Sequence, residues 1–574
     1  MEFAVRAADF RRRVAALGGW KRRGAAFAAG ALSVLALAPF FFWPILFATL
    51  PVLVWLVDDE AEASAGGAAA RERIAAVTRF QLARAAGAGW WFGFGYFFFG
   101  LFWIGEAFLV EAEIFAWLLP FAVTLLPAGL ALFYAAATLA ARALWPRDAG
   151  RVLTLAAMLS VCEWLRGHIL TGFPWNVLGY ALTSPLALMQ SAAILGIYGL
   201  TLVAVVVFAM PLVVAAGLGE QQREGAAPAV TLGASTLRNW APALISPAVL
   251  LALLGYGVVV LARDTGGTVE GVRVRIVQPS VPQRDKWRRE MQREIFETHL
   301  ALSRADAAGR VDDLAGTTLL VWPEAAMPFL PLDTPDALAA IGELLPRGTS
   351  LMSGALRVER PEPAADGSIP ETSQGIRAFN SLIAFGDGGR PIAVYDKIRL
   401  VPFGEFLPMQ PLLEAIGLRQ LTRMRGGFSA GPRPRPLLAV PGLPPVAGLI
   451  CYEALFPDDV WDGPMRPGVI VNVTNDGWFG NTTGPRQHLH QARVRAVESG
   501  LPLIRAANNG ISAVVDGRGR VVASLNLDVR SVVDANLPAA SLGIQSARAR
   551  TISFWSLVLG CLIFVRFRVV GDKQ

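Results

Sequence analysis

Three ionisable side chains in the C-terminal half of the chain occupy the same kind of place, each closing a short apolar run. Val321-Trp-Pro ends at Glu324, Tyr395-Asp396 leads into Lys397, and Val446-Ala-Gly-Leu-Ile450 stops at Cys451, after which Tyr452-Glu453 reads as the start of a helix. Such runs read as buried strands, and a strand-to-helix turn projects its side chain past the sheet edge into the crevice where α/β proteins bind ligands. The three residues are therefore expected at strand ends of one sheet. Together they hold the parts of an acyl-transfer site. A free thiol with a pKa of about 8.5 is mostly protonated at neutral pH, and only the thiolate attacks. A carboxylate such as Glu324 can take the thiol proton as general base. An ammonium such as Lys397 can stabilise the thiolate and then the oxyanion formed when it adds to an ester or amide carbonyl. Singly, each has an ordinary reading, Glu324 and Lys397 as surface charges and Cys451 as a small buried hydrophobe. Their shared placement favours catalysis.

The segments that must position these residues begin at Val272, where Val272-Arg-Val-Arg-Ile-Val-Gln278 alternates as a half-buried strand. A polar helical stretch follows over about 287–307, then a strand at 317–322, a helix near 335–345 and strands near 350–357, 379–385 and 391–395. After the strand ending at Cys451 come a strand at 469–474, a helix at 486–498 and strands near 503–507, 511–515 and 520–525. Strands alternating with helices indicate an α/β layered domain, and the Pro- and Gly-rich stretch 357–377 reads as a surface loop.

The preceding half has a different character. Only 17% of the 574 residues are charged and 54% are hydrophobic, against about a quarter charged in a soluble protein. An Arg-rich opening, Arg6 to Arg23, precedes an apolar stretch from Gly24 in which Ala36-Leu37-Ala38 mimics a signal-peptide cleavage site. The apolar run continues to Leu56, which fits two short spans divided near Pro39 better than a cleaved leader. With further apolar stretches at 87–109, 115–143, 151–167, 188–217, 241–262 and 552–567, about eight membrane-spanning helices are expected. The multi-domain layout is thus a basic cytoplasmic segment 1–23, a membrane domain 24–265, a catalytic domain 270–545 and a last span with its tail, 550–574. Basic segments at the N-terminus, at Arg142–Arg151 and at Arg566–Lys573 fall on one side of eight crossings, placing the α/β domain outside the cytoplasmic membrane. Much of the net charge of +7 lies in such flanks and is not read as a nucleic-acid footprint. The polar stretch Glu163-Trp-Leu-Arg166 to Phe173-Pro-Trp175-Asn176 reads either as an interfacial belt or as a substrate-facing group.

Of the cysteines Cys162, Cys451 and Cys561, only Cys451 lies in the α/β part, which can therefore form no internal disulfide. His488 and His490, two apart on a helix, do not share a face, so no metal site is expected there. No Gly-rich phosphate loop stands in a strand-turn-helix context, and acyl exchange needs no nucleotide. Neither metal nor cofactor is expected.

In their order and contexts, Trp322-Pro-Glu324, Tyr395-Asp-Lys397 and Cys451-Tyr-Glu453 resemble the carbon–nitrogen hydrolase (nitrilase) superfamily over about 272–540. With the membrane half and the motifs Glu163-Trp-Leu-Arg-Gly167 and Phe173-Pro-Trp175, nearly the whole chain resembles the bacterial apolipoprotein N-acyltransferases. The resemblance implies an αββα sandwich and a ping-pong reaction. Cys451 would take an acyl chain from the sn-1 position of a phospholipid and pass it to the α-amine of an N-terminal diacylglyceryl-cysteine on an apolipoprotein. Glu324 would be the base and Lys397 the oxyanion stabiliser. Glu405 matches a carboxylate supporting the lysine, Tyr452 and Glu453 the residues after the nucleophile, Trp287 an aromatic at the mouth, and Asn380 a site-lining position. The chain departs from the pattern at Gln278-Pro279-Ser280, where Asn is usual, and at Phe379, where Tyr is common.

A lipid substrate also agrees with physics, because withdrawing a chain from the bilayer costs about 0.8 kcal/mol per CH₂. The aromatic segments Phe403–Pro408 and Asn475 to Phe479, with Trp478, are expected as lips that meet lipid. The rival readings are a membrane-tethered amidase with the same three residues, and a transporter or receptor whose α/β domain binds a ligand. Phospholipid, apolipoprotein and membrane lipids are the partners expected, and nucleic acid is not.

Overall fold

The computed structural model describes residues 2–58, 70–146, 148–223, 234–264, 266–312, 314–360, 376–410, 415, 427–541 and 546–571. Most of the expected surface loop, 361–375, and the end of the basic tail, 572–574, lie outside the described residues. The chain divides into two compact units, Met1–Arg263 with Gln545–Gln574, and Asp264–Ile544.

The second unit is built from two six-stranded sheets. The first comprises β1 (Thr268–Gln278), β2 (Leu319–Met327), β3 (Ser350–Glu359), β4 (Arg377–Phe385), β5 (Pro391–Asp396) and, pairing back onto β1, the late strand β12 (Ser531–Pro538). The second comprises β6 (Leu437–Leu438), β7 (Val446–Ile450), β8 (Val469–Thr474), β9 (Leu503–Ala507), β10 (Ser512–Val515) and β11 (Val521–Leu525). The middle strands of each sheet run parallel, β1–β2–β3 and β7–β8–β9, and antiparallel strands flank them.

The two-residue period of each strand decides which layer its side chains enter. Val274, Ile276 and Val321 of the first sheet pack with Val446, Val471, Val473 and Ile504 of the second in one continuous core. Their neighbours Val277, Leu320 and Trp322 point the other way, onto Ile341 and Phe296 of the helices Pro335–Leu344 and Gln292–Ser303. Likewise Leu449 and Ile470 meet Ala492 and Ala496 of the helix Gly484–Ser499. The order of layers is helix, sheet, sheet, helix, and central strands buried on both faces explain why β2 is buried along its whole length and apolar but for Glu324.

Local differences from the expectations have physical causes. Glu324 and Lys397 belong to the first sheet, but Cys451 follows β7 of the second, so the three come from two sheets instead of one. Apolar runs reveal strands without revealing their partners. Tyr452-Glu453 opens a five-residue 3-10 turn, Cys451–Leu455, instead of a helix. The helix expected over 287–307 is confined to Gln292–Ser303, because 279–288 is tied down as irregular loop by Asn508, which joins Val281 by two hydrogen bonds (2.8 and 3.1 Å).

In the first unit, four helices are long and apolar enough to cross a bilayer among the described residues: Ala112–Ala143, Ala192–Gln222, Trp240–Arg263 and Ala547–Phe567. The other expected spans are shorter or charged. Gly19–Ser33 has 15 residues, Leu46–Val57 has 12, Ala70–Leu101 gives way to a 3-10 segment, and Gly150–His168 carries Arg151, Glu163 and Arg166. Trp117, Phe121, Leu125, Leu132 and Leu139 form one exposed stripe at helical spacing, a surface suited to lipid. The Glu163–Arg166 group, expected as an interfacial belt or a substrate-facing group, lies inside the first unit. Both side chains are fully buried and paired, Tyr134 donates to Glu163 (2.7 Å), and Arg166 donates to the carbonyls of Phe173 and Trp175 (2.9 Å to the latter), folding that loop back onto its helix.

Gly354 on β3 lies so close to β2 that a Cβ there would sit 2.5 Å from Glu324 Cα and 2.7 Å from the Pro323 carbonyl. Gly354→Ala should therefore displace Glu324 and destabilise the protein by about 1–3 kcal/mol. Thermal unfolding of the purified full chain checks this, and an unchanged midpoint would contradict the close approach.

Candidate functional site

Lys397 is the first residue after β5, and its ammonium is fully buried. It donates to Glu405 Oε1 at 2.9 Å and lies 3.6 Å from Glu324 Oε1. Asn380, on the neighbouring strand β4, donates from one Nδ2 to both carboxylates, at 2.8 Å to Glu324 and 2.9 Å to Glu405. Glu405 is fixed in turn by the Val401 amide, which donates to its Oε2 (2.8 Å). Burial works against the lysine charge, but Glu405 and Glu324 outweigh it and hold the ammonium above the ordinary lysine value. Near the end of β2, a bulge between Trp322 and Met327 and a positive φ at Ala325 (46°) mark where the backbone leaves the regular ladder around Glu324.

Cys451 stands on a left-handed backbone (φ 49°), an uncommon conformation for a residue with a Cβ, held at the junction of β7 and the 3-10 turn. Glu453 is the brace beneath it. Its carboxylate accepts from the Ile450 amide (2.8 Å), the Ile398 and Arg399 amides (2.9 and 3.1 Å) and the Tyr395 hydroxyl (2.7 Å), tying the Cys451 turn to the segment after Lys397. Burial pushes the Cys451 thiol up to about 12, with Glu324 adding to the rise and Lys397 opposing it. The resting thiol is protonated at neutral pH.

Some residues in this cluster escaped the sequence reading. His488, considered only as a metal ligand, sits with Nδ1 2.9 Å from Asp476 Oδ1 and Nε2 3.1 Å from the Cys451 carbonyl. Both neighbours are acceptors, so both bonds form together only on the imidazolium. Burial and Arg505 hold the His488 pKa below its ordinary value, so this hold on the Cys451 carbonyl tightens as pH falls. Asp476 pairs with Arg505 (2.9 Å), and although burial opposes it, Arg505 and His488 bring its carboxyl down to about 2. The second residue missed is Lys286, fully buried, whose Nζ donates to the Glu324 carbonyl at 2.8 Å. The signal was available, since Lys286 precedes Trp287, but a lysine in an irregular loop carries no periodicity.

The remaining expected positions are less intimate. Tyr452 is buried and packs edge-on against Phe456 (5.1 Å). Trp287 is exposed and Trp478 half-buried in the short turn after β8, and no hydrogen bond or ring contact joins either to Glu324, Lys397 or Cys451 among the described residues. Phe403 and Met409 near Glu405 are also exposed.

Comparison with known proteins follows the same division of the chain. A family model described as apolipoprotein N-acyltransferase N-terminal domain matches residues 29–210, and one described as carbon-nitrogen hydrolase matches residues 273–545. The chain is 48% identical to the apolipoprotein N-acyltransferase of Rhodopseudomonas palustris, covering 96% of each chain. It is 46% identical to that of Bradyrhizobium diazoefficiens, again over 96% of each, and 44% identical to that of Brucella melitensis over 92% of each.

The charges around the thiol make a signed expectation. Glu324→Gln should lower the Cys451 pKa and speed its alkylation by iodoacetamide at pH 8, whereas Lys397→Met should raise the pKa and slow it, by about tenfold per pKa unit. Peptide mass spectrometry that resolves Cys451 from Cys162 and Cys561 reads the rates. Slower alkylation of the Glu324→Gln protein would contradict the arrangement.

Proposed function

The chain belongs to the apolipoprotein N-acyltransferase family, and from that premise we propose that it transfers an acyl chain from a membrane phospholipid to the α-amine of the diacylated N-terminal cysteine of an apolipoprotein. The observation that carries the chemical reading is the buried Lys397 ammonium shared by Glu324 and Glu405, with the charges of Lys397 and Glu324 both reaching the Cys451 thiol.

In the first half-reaction Glu324 takes the Sγ proton and the thiolate adds to the sn-1 ester carbonyl. Lys397 stabilises the oxyanion, at a site whose low dielectric makes a fixed cation effective. Collapse breaks the ester C–O bond, Glu324 returns the proton to the departing lysophospholipid oxygen, and the acyl chain remains as a thioester on Cys451. In the second half-reaction the lipoprotein amine adds to the thioester, Glu324 takes its proton, an amide forms and the sulfur leaves. Asn380 holds Glu324 and Glu405 in register, and Glu405 secures Lys397. Tyr452 and Glu453 carry the nucleophile's turn, and Trp287 and Trp478 are the aromatic lips of the site.

The reading includes a multi-pass protein of the bacterial inner membrane with eight crossings and its catalytic domain on the extracytoplasmic side. The basic flanks Arg6–Arg23 and the exposed apolar stripe Trp117 to Leu139 support it. Holding the site at the membrane avoids extracting a chain of some sixteen carbons, which at about 0.8 kcal/mol per CH₂ would cost on the order of 12 kcal/mol.

Vesicles of phosphatidylethanolamine labelled in the sn-1 chain, supplied with the full-length protein and a diacylglyceryl-cysteine peptide, test the assignment. Label should appear in amide linkage on the peptide, fall to background with Cys451→Ala and drop by about 10²–10⁴-fold with Glu324→Gln. Label recovered only as free fatty acid would identify an amidase-type hydrolase instead, and transfer that survives Cys451→Ala would remove the thioester.

A further inference from the structure

The site carries more formal negative charge than Lys397 alone can balance. Glu324 and Glu405 are both buried, and both face one ammonium. Burying an uncompensated charge is costly, and buried charges in proteins are paired. The Asp476 carboxylate, whose charge also reaches the Cys451 thiol, is already matched by Arg505. One cation is missing from the tally, and one buried lysine stands where it is needed. Lys286 Nζ is fully buried, donates to the main-chain carbonyl of Glu324 at 2.8 Å, and interacts electrostatically with both the Glu324 carboxylate and Cys451.

Resting on the acyltransfer reading above, we propose that Lys286 is the second cation of the site, a positioning residue that balances the second carboxylate and pins the peptide of the general base. Proton transfer from Sγ to Glu324 then leaves the pocket neutral: the thiolate and Glu405 contribute two negative charges, and Lys397 and Lys286 two positive ones. Without Lys286 the thiolate state would hold a net negative charge in a dry pocket. The loop that delivers Lys286 is built to stay in place. Asn508 holds Val281 from both sides, Asn475 donates to Gln283 Oε1 (2.7 Å), and the Asp285 amide closes a turn onto the Pro282 carbonyl (3.0 Å). Both asparagines lie at the ends of β8 and β9, so the second sheet fixes a lysine that serves a carboxylate of the first.

The charged groups facing Lys286 are Glu324 from β2, Cys451 from the turn after β7, and His299 from the helix Gln292–Ser303. Burial drives the His299 pKa down to about 4, so this histidine is neutral and Lys286 supplies the charge. Burial also pulls the Lys286 ammonium down to about 8, against the opposing pull of Glu324 and Cys451. A lowered lysine pKa means the cation is present below about pH 8 and lost as the pH rises through it.

The experiment is a single-turnover measurement of lysophospholipid release from phosphatidylethanolamine vesicles by the full-length protein, between pH 6 and 10, for wild type, Lys286→Met and Lys286→Arg. Wild type should release lysophospholipid in a burst with an alkaline limb near pH 8. Lys286→Met should lower the burst rate by about 10²-fold, the scale of losing one preorganised charge, and lose the limb. Lys286→Arg should recover part of the rate and shift the limb upward, because guanidinium keeps its charge across this range. A Lys286→Met protein with the wild-type rate and limb, or a Lys286→Arg protein whose limb stays near pH 8, would overturn the assignment. Should Lys286→Met fail to fold, the Lys286→Arg limb alone decides. Absence of any burst in wild type would count against the acyltransfer reading itself, a separate result.

Discussion

A lysine ammonium shared between two buried carboxylates is the interaction on which the catalytic unit depends. Lys397, Glu324 and Glu405 come from three segments, and each would be costly to bury alone. Brought together, with Asn380 donating to both carboxylates, they are geometrically fixed, and the ammonium offsets part of their charge. Removing the lysine would leave both carboxylates without their ammonium in the interior, a loss of about 3–5 kcal/mol. The cluster therefore constrains the fold as much as the chemistry. The ends of β2, β4 and β5 must meet in one place, and the two sheets must pack so that the turn after β7 arrives opposite them.

This arrangement accounts for the division of labour around the sulfur. The left-handed Cys451 is held from beneath by Glu453, which gathers amides from its own turn and from the segment after Lys397, and from its carbonyl side by His488. Neither group is needed to take a proton. They fix the backbone of a residue in an uncommon conformation close to the charges of Glu324 and Lys397, and burial keeps its thiol protonated at rest.

Glu324, Lys397 and Cys451 stood out in the sequence because each ends an apolar run, and an ionisable group at the end of a buried strand is chemically conspicuous. The strand segments themselves were also legible from their period, as in Val272–Gln278 and Val469–Thr474. Three things were not. Partner choice was hidden, since β12 pairs with β1 across more than 250 residues in register such as Ile276 with Val533, and no local pattern encodes that. The split of the site between two sheets was hidden for the same reason. Lys286 and His488 were hidden because their significance lies in what they touch: one in an irregular loop, the other on a helix whose face is defined only by packing. In the membrane half, Glu163 and Arg166 looked like groups at a boundary. Their pairing with Tyr134 and two loop carbonyls became visible only in three dimensions.

The claim at the centre is that Cys451 carries the acyl group, activated by the carboxylate that shares Lys397. Intact-mass and peptide analysis of the full-length protein incubated with phospholipid, with no lipoprotein acceptor present, tests it most directly. The account expects one acyl chain in hydroxylamine-sensitive linkage on the peptide containing Cys451, present in wild type and strongly depleted in Glu324→Gln. An acyl group found on another residue, or a Cys451 adduct equally abundant without the Glu324 carboxylate, would contradict it.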